Sequence, residues 1–180
     1  MRTIKYEIEF FSNWHCGSGL AAGADVDALV IKDKDGLPYI PGRTIKGLLR
    51  EAASSLTDDQ ETINLVFGIS GDEDSHNVGA SFFSNAVLSH AERKYIKDKE
   101  LQPYMFETFS STKIDEKGIA QDHSLRKIET VVPCKLNGEI LNMPNDTVQM
   151  IEDAMRFIKR LGTGRNRGYG RCKITIRKEA

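Results

Sequence analysis

Long apolar runs are missing: nothing approaches the ~18 consecutive apolar residues of a membrane span, so no membrane partner is expected. Cysteine is scarce. Cys16, Cys134 and Cys172 are scattered and odd in number, with no CxxC or Cys/His pair at zinc spacing. They read as reduced thiols, and no structural metal is predicted. There is no GK[ST] phosphate loop. A surplus of one charge is also absent: the net charge is −1, so bulk composition does not point to nucleic acid. Apolar residues at 39% and charged residues at 28% are enough for a folded core in one domain, taken as residues 1–180. The opening MRTIKYEIEFF alternates apolar and charged positions, which predicts a strand rather than a secretory signal, and the expected location is the cytoplasm.

The charge is unevenly distributed. From Arg156 to Lys178 there are nine Lys/Arg and no Asp/Glu. Arg43, Lys46 and Arg50 form a second basic group. Acid gathers at Asp58-Asp59 and at Asp72 to Asp74. A run of one sign across a glycine-rich stretch is a candidate phosphate track.

Hydrophobic periodicity predicts a strand over 3–11 and a second over 26–32. A helix is expected over 44–56, with Thr44 as its N-cap and Ile45, Leu48, Leu49, Ala52, Ala53 and Leu56 inward. Thr57 and Gln60 have capping-box spacing before a short helix ending near Phe67. A buried strand is expected at 80–88 and an irregular polar insertion at 90–128. Further strands follow at 129–136 and 139–142, with Asn137-Gly138 as a turn or bulge. A last helix over 146–161 is capped by Gly162 and leads to a final strand with Cys172, Ile174 and Ile176 inward. This order predicts an α+β fold, an antiparallel sheet with helices on one face.

The segment 162–170 holds Gly162, Gly164, Gly168 and Gly170, with Arg165, Asn166 and Arg167 among them. Glycine permits positive φ and close backbone approach. Exposed amides and forked guanidinium groups then suit phosphate oxygens. A dinucleotide-binding fingerprint does not fit. Arg167 stands where the third glycine belongs, and the order is helix–loop–strand rather than strand–loop–helix.

Three stretches together resemble the RAMP superfamily: His15 to Gly19 (HCGSG), residues 35–50 (DGLPYIPGRTIKGLLR) and Gly162 to Arg171. The similarity is strongest to the repeated backbone subunits of type III CRISPR effector complexes. It implies a ferredoxin-like, modified RNA-recognition-motif core with an inserted thumb hairpin within about 90–128. It also implies several copies stacked along CRISPR RNA beside other effector subunits, presenting the guide for pairing with target RNA. Carried onto this chain, Lys46 and Arg50 face guide phosphates, and Gly162, Gly164, Arg165, Asn166, Arg167 and Gly168 line the backbone track. Arg43 stands where the signature more often has a small residue, so its role is inferred from charge.

In active relatives an aspartate after the early glycine motif promotes cleavage of target RNA with a divalent metal. Asp27, in Val26-Asp27-Ala28-Leu29-Val30, is the matching position, and Mg²⁺ is the implied cofactor. Asp25 points to the same side of an extended chain. Two other readings stay open: an endoribonuclease that processes CRISPR RNA, and a non-catalytic general binder of single-stranded RNA. His15 reads as a packing or hydrogen-bonding residue and Trp14 as core. Tyr169 either stacks on a base or packs under the loop.

Overall fold

A computed structural model describes residues 1–21, 26–69, 78–119, 121 and 124–177. Strand β1 (Arg2–Phe10) lies inside the sheet, antiparallel to β7 (Lys135–Met143) on one side and to the edge strand β8 (Cys172–Arg177) on the other. The short strands β3 (Phe82–Phe83) and β4 (Ala86–Val87) add to the far edge of β7, and β2 (Tyr39–Ile40) pairs with β4. Helix α1 (Gly42–Leu56) packs against α4 (Val148–Phe157), and α2 (Gln60–Phe67) leans on α1. Reading β3 and β4 as one interrupted strand, the core runs β–α–β–β–α–β with spatial order β3/β4, β7, β1, β8. That is the ferredoxin-like arrangement implied by the family resemblance.

The alternation in β1 sets the layers. Ile4, Tyr6, Ile8 and Phe10 are buried beside Leu136, Ile140 and Ile174. Lys5, Glu7 and Glu9 take the opposite, open face. There Glu7 pairs with Arg177 and, at 3.3 Å, with Lys135, which also meets Glu9 at 3.3 Å. The Arg177 hydrogen bond, then Lys135, hold the Glu7 carboxyl below its usual 4.5. A depressed carboxyl adds stability above its unfolded pKa and loses it as pH falls through the folded value. Glu7→Gln is therefore expected to lower the melting temperature by at most about 4 °C above about pH 5, a surface-pair effect, and the difference from wild type should vanish as the pH falls through the depressed folded pKa. Melting curves across that range check this.

Several local expectations are corrected. Helix α1 begins two residues early, with Pro41 rather than Thr44 at the N-cap. Asn85 supplies the missing acceptor for Gly42 N–H at 2.9 Å. Asp59, not Thr57, caps α2 by accepting from Thr62 N–H at 3.0 Å. Residues 26–32 form no ladder strand; they run extended with isolated bridges, including Gly17 to Val30 and Ala28 to Ile128. The stretch 80–88 is broken between β3 and β4, where Ser84 and Asn85 leave the ladder to bond Glu139 and Gly42. Asn137-Gly138 is no turn but lies inside continuous β7. A Cβ on Gly138 would stand 2.3 Å from the Tyr6 hydroxyl, so the glycine makes room for that ring. Helix α4 stops at Phe157, with Ile158 extended at its C-cap, and Gly162 lies beyond it.

The insertion is more ordered than its polarity suggests. Helix α3 (His90–Asp98) opens with a capping box: Ser89 Oγ accepts from Glu92 N–H, and Glu92 accepts from Ser89 N–H. None of its residues is buried. Arg93 holds it to Asp33 at 2.7 Å and Asp35 at 3.0 Å, and Lys97 reaches Asp35 at 2.8 Å. An antiparallel hairpin follows, β5 (Phe106–Ser111) with β6 (Arg126–Val131), as a separate two-stranded sheet. Its base is fixed where Trp14 and Val131 exchange backbone hydrogen bonds at 3.0 and 2.8 Å.

Candidate nucleic-acid interface

The segment Ser12 to Cys16, leaving β1, joins the hairpin to the glycine loop. Asn13 donates from its side chain to Glu107 at 2.8 Å and to Thr130 at 3.2 Å, while its carbonyl accepts from Gly170 N–H at 2.8 Å. Trp14 is fully buried, stacked on Phe10 at 4.6 Å, which fits the core role. His15 is 3% exposed. Its Nδ1 lies 2.6 Å from the Glu129 carbonyl, and its own carbonyl accepts from Thr163 N–H at 2.9 Å. It braces hairpin against loop, which is the hydrogen-bonding role expected of it.

The loop itself is closed at its neck by Leu161 N–H donating to Gly170 O at 2.9 Å and by a bridge between Arg160 and Arg171. Inside, Arg165–Arg167 form one 3₁₀ turn between Gly164 and Gly168, both left-handed, at φ 76° and 91°. The Arg160 guanidinium donates to the Arg165 carbonyl. Two glycines are also sterically required: a Cβ would fall 1.9 Å from Leu161 O at Gly170 and 2.3 Å from His15 O at Gly162. At Gly168 a Cβ meets open space, so only its positive φ matters.

Gly170→Ala should therefore cost about 3–4 kcal/mol and lower the melting temperature by about 10 °C. Gly168→Ala should cost only about 1–2 kcal/mol. Equal melting temperatures for the two variants would contradict the packed neck.

Between loop and hairpin lies a cavity of about 760 Å³. Arg165, Asn166 and Arg167 line it from the loop, and Phe109, Arg126 and Ile128 from the hairpin. No carboxylate among the described residues lines it or pairs with Arg126, Arg165 or Arg167. Tyr169 packs under the loop, its ring edge-on to Phe109 at 5.6 Å and close against Gly164. Of the sequence candidates, Gly162 and Gly164 also reach this cavity. Gly168 shapes the turn beside it without lining it.

The basic residues of α1 lie elsewhere. Loop-facing positions on that helix are Leu48, Glu51, Ala52 and Ser55, which share a neighbouring cavity with Arg165 and Asn166. Arg50 turns to α2 and donates to Asn64 Oδ1 at 3.3 Å. Lys46, half-buried, sits one turn before it. Arg43, exposed at the start of α1, lines a separate hollow with Tyr39 and Phe82. Arg126, Phe109 and the bracing role of Arg160 were missed in the sequence. Arg126 stood in a stretch without periodicity, and no pattern marked it.

Asp27 is exposed and adjoins the cavity without lining it. Its N–H donates to Lys127 O at 2.9 Å, and its Oδ2 accepts from Lys127 N–H at 2.7 Å. The residues flanking Lys127, Arg126 and Ile128, both face the cavity. One carboxylate oxygen is thus held, and no group of three or more His, Cys, Asp or Glu among the described residues could enclose a metal ion. A lone exposed carboxylate fits Mg²⁺ that keeps most of its waters, and does not fit a protein cage. Asp25, His76 and His123 lie outside the described residues. Among these no helix is long and apolar enough to cross a membrane. Cys16, Cys134 and Cys172 are unpaired, and burial pushes the Cys134 thiol up to about 12.

Comparison with known proteins agrees with this architecture. A search of curated proteins finds no match. Among solved structures, a chain described as the type III-B Cmr-beta complex bound to cognate target RNA superimposes with a TM-score of 0.77 at 12% identity, covering 98% of this chain and 97% of that one. A chain from the apo state of the same complex gives 0.73 at 13% identity, covering 98% of both. At these identities the likeness establishes the fold. The family model for the RAMP superfamily matches residues 7–173, nearly the whole chain, and the protein belongs to that superfamily.

Proposed function

We propose that the protein is a CRISPR RNA-binding backbone subunit of a type III effector complex, repeated along the guide. The observation that carries this reading is the uncompensated arginine cavity: Arg126, Arg165 and Arg167 face one space of about 760 Å³ with no lining carboxylate. Three guanidinium groups there would repel one another unless a polyanion entered. Left-handed glycines present the loop backbone, and the braced hairpin forms the opposite wall. Such contacts hold phosphates in register and leave sequence reading to base pairing. Lys46, Arg50 and Arg43, on α1 away from this cavity, meet guide phosphates at a separate place on the surface. Residues 1–180 act as one RAMP domain, and the β5–β6 hairpin is the thumb that separates short segments of the duplex. The partners are CRISPR RNA, target RNA, further copies of this chain and other effector subunits. The structural likeness to Cmr-beta chains supports this assembly, and the expected compartment is the cytoplasm.

On the same reading Asp27 is a catalytic residue for cutting guide-paired target RNA. Mg²⁺ held by its carboxylate would supply charge stabilisation at the scissile phosphate. Asp27's own part is to hold that anchor at a fixed position beside Arg126, through its bond to Lys127.

The test is footprinting. Full-length protein assembled on a guide RNA should protect the strand with exposed bases at a constant interval, and should leave repeat RNA uncut when added as monomer. Uniform protection would assign it to general single-strand binders. Cutting of the repeat by monomer would assign it to the processing enzymes.

A further inference from the structure

The glycine loop uses only Arg165 and Arg167 of the basic run. On the other side of its neck, between the end of α4 and the start of β8, lies a further cavity of about 450 Å³. Lys159, Arg160, Arg171 and Lys173 line it over an apolar floor that includes Phe11 and Ile158. Arg156, which also lines it, is already matched by Glu152 at 3.2 Å and Asp153 at 3.1 Å. The other four are not. Lys159 Nζ donates to the Arg156 carbonyl at 2.6 Å and Arg160 to the Arg165 carbonyl. No carboxylate among the described residues forms an ion pair with any of the four; Glu9, opposite Lys173 in the β1–β8 register, is paired with Lys135.

Phe11 is 49% exposed beside them, and the Arg171 guanidinium stands 5.9 Å from its ring centroid. An exposed ring flanked by a guanidinium is a platform for a base, and unmatched ammonium groups around it suit the attached phosphates.

We propose that this groove is a second RNA site, holding single-stranded RNA outside the glycine-loop cavity. A base stacks on Phe11, and phosphates are met by Lys159, Arg171 and Lys173. The proposal rests on the RNA-binding role given above. An acidic protein strand along β8 would use the same charges. RNA is favoured because the ring platform has no use in such a pairing, and because Arg160 joins this groove physically to the loop. The two sites then form one basic path across the neck, guide RNA on one side and a flanking or partner strand on the other.

The experiment uses the full chain and oligouridines long enough to span both sites, with 5-iodouridine for crosslinking. Lys159→Gln/Lys173→Gln should weaken binding on the order of tenfold and reduce the salt slope by about 1.4, two phosphate contacts on a single strand. Irradiation should crosslink RNA to the peptide containing Phe11, and Phe11→Leu should abolish that crosslink. Unchanged affinity and slope in the lysine variant, with Arg165→Ala/Arg167→Ala still defective, overturns the groove and leaves the glycine loop standing. A defect in the lysine variant alone supports the groove and removes the loop. Tight binding of polyglutamate that depends on the two lysines, without any effect on RNA, assigns the groove to an acidic protein partner and overturns the proposal.

Discussion

Replacing Arg165 and Arg167 together by alanine is expected to weaken guide RNA binding on the order of 10²–10⁴-fold. Each guanidinium in the cavity is free to make a charge-assisted hydrogen bond worth about 1.5–3 kcal/mol, and two such losses give that range. The salt slope should fall by about 1.4. Neither side chain pairs with a carboxylate among the described residues, and both are exposed, so the melting temperature should stay within about 1 °C. Arg165→Lys/Arg167→Lys separates charge from geometry. It keeps the slope, because the cations remain, yet recovers only part of the affinity, because an ammonium cannot make the forked contact. Filter binding over a range of salt reads both numbers. Wild-type affinity in the alanine variant would remove the cavity from the RNA path.

The loop was legible because its chemistry is local. Glycines at alternating positions with arginines between them announce a strained backbone that carries charge, and the structure gives all four glycines positive φ. The alternation of β1 and the 3–4 spacing of α1 were equally plain, since each buries one face of one element. What failed depended on contacts distant in sequence. Asn137-Gly138 carries the strongest short hairpin signal, but the glycine is there for a tyrosine more than a hundred residues earlier. Gly162 reads as a helix cap, yet its constraint comes from the His15 carbonyl. The acceptor for the first amide of α1 comes from Asn85, which no pattern near residue 42 reveals. Helix α3 is different. Ser89-His-Ala-Glu92 is a capping box visible in the sequence, obscured only because the residues after it lack an apolar face. Its anchor is ionic, through Arg93 and Lys97 to Asp33 and Asp35, and ion pairs leave no periodicity to read.

Asp27 was assigned from resemblance, and the structure gives it a second duty that changes how it must be tested. Its carboxylate holds the Lys127 amide, at the start of the strand that carries Arg126 and Ile128 into the cavity. Asp27→Ala removes the charge and that hydrogen bond together, so a loss of cleavage could come from a displaced strand. Asp27→Asn keeps an oxygen acceptor for Lys127 and removes only the charge. If the carboxylate anchors Mg²⁺, both variants should bind guide and target as wild type does. Both should cut target on the order of 10²–10³ times more slowly, the equivalent of several kcal/mol of lost electrostatic stabilisation. Hydrogen exchange at the Lys127 amide should be slow in wild type and Asp27→Asn and fast in Asp27→Ala. Cutting lost in alanine but normal in asparagine would make Asp27 a positioning residue for β6. Normal cutting in both would place the chemistry in another subunit and leave this chain to bind RNA alone.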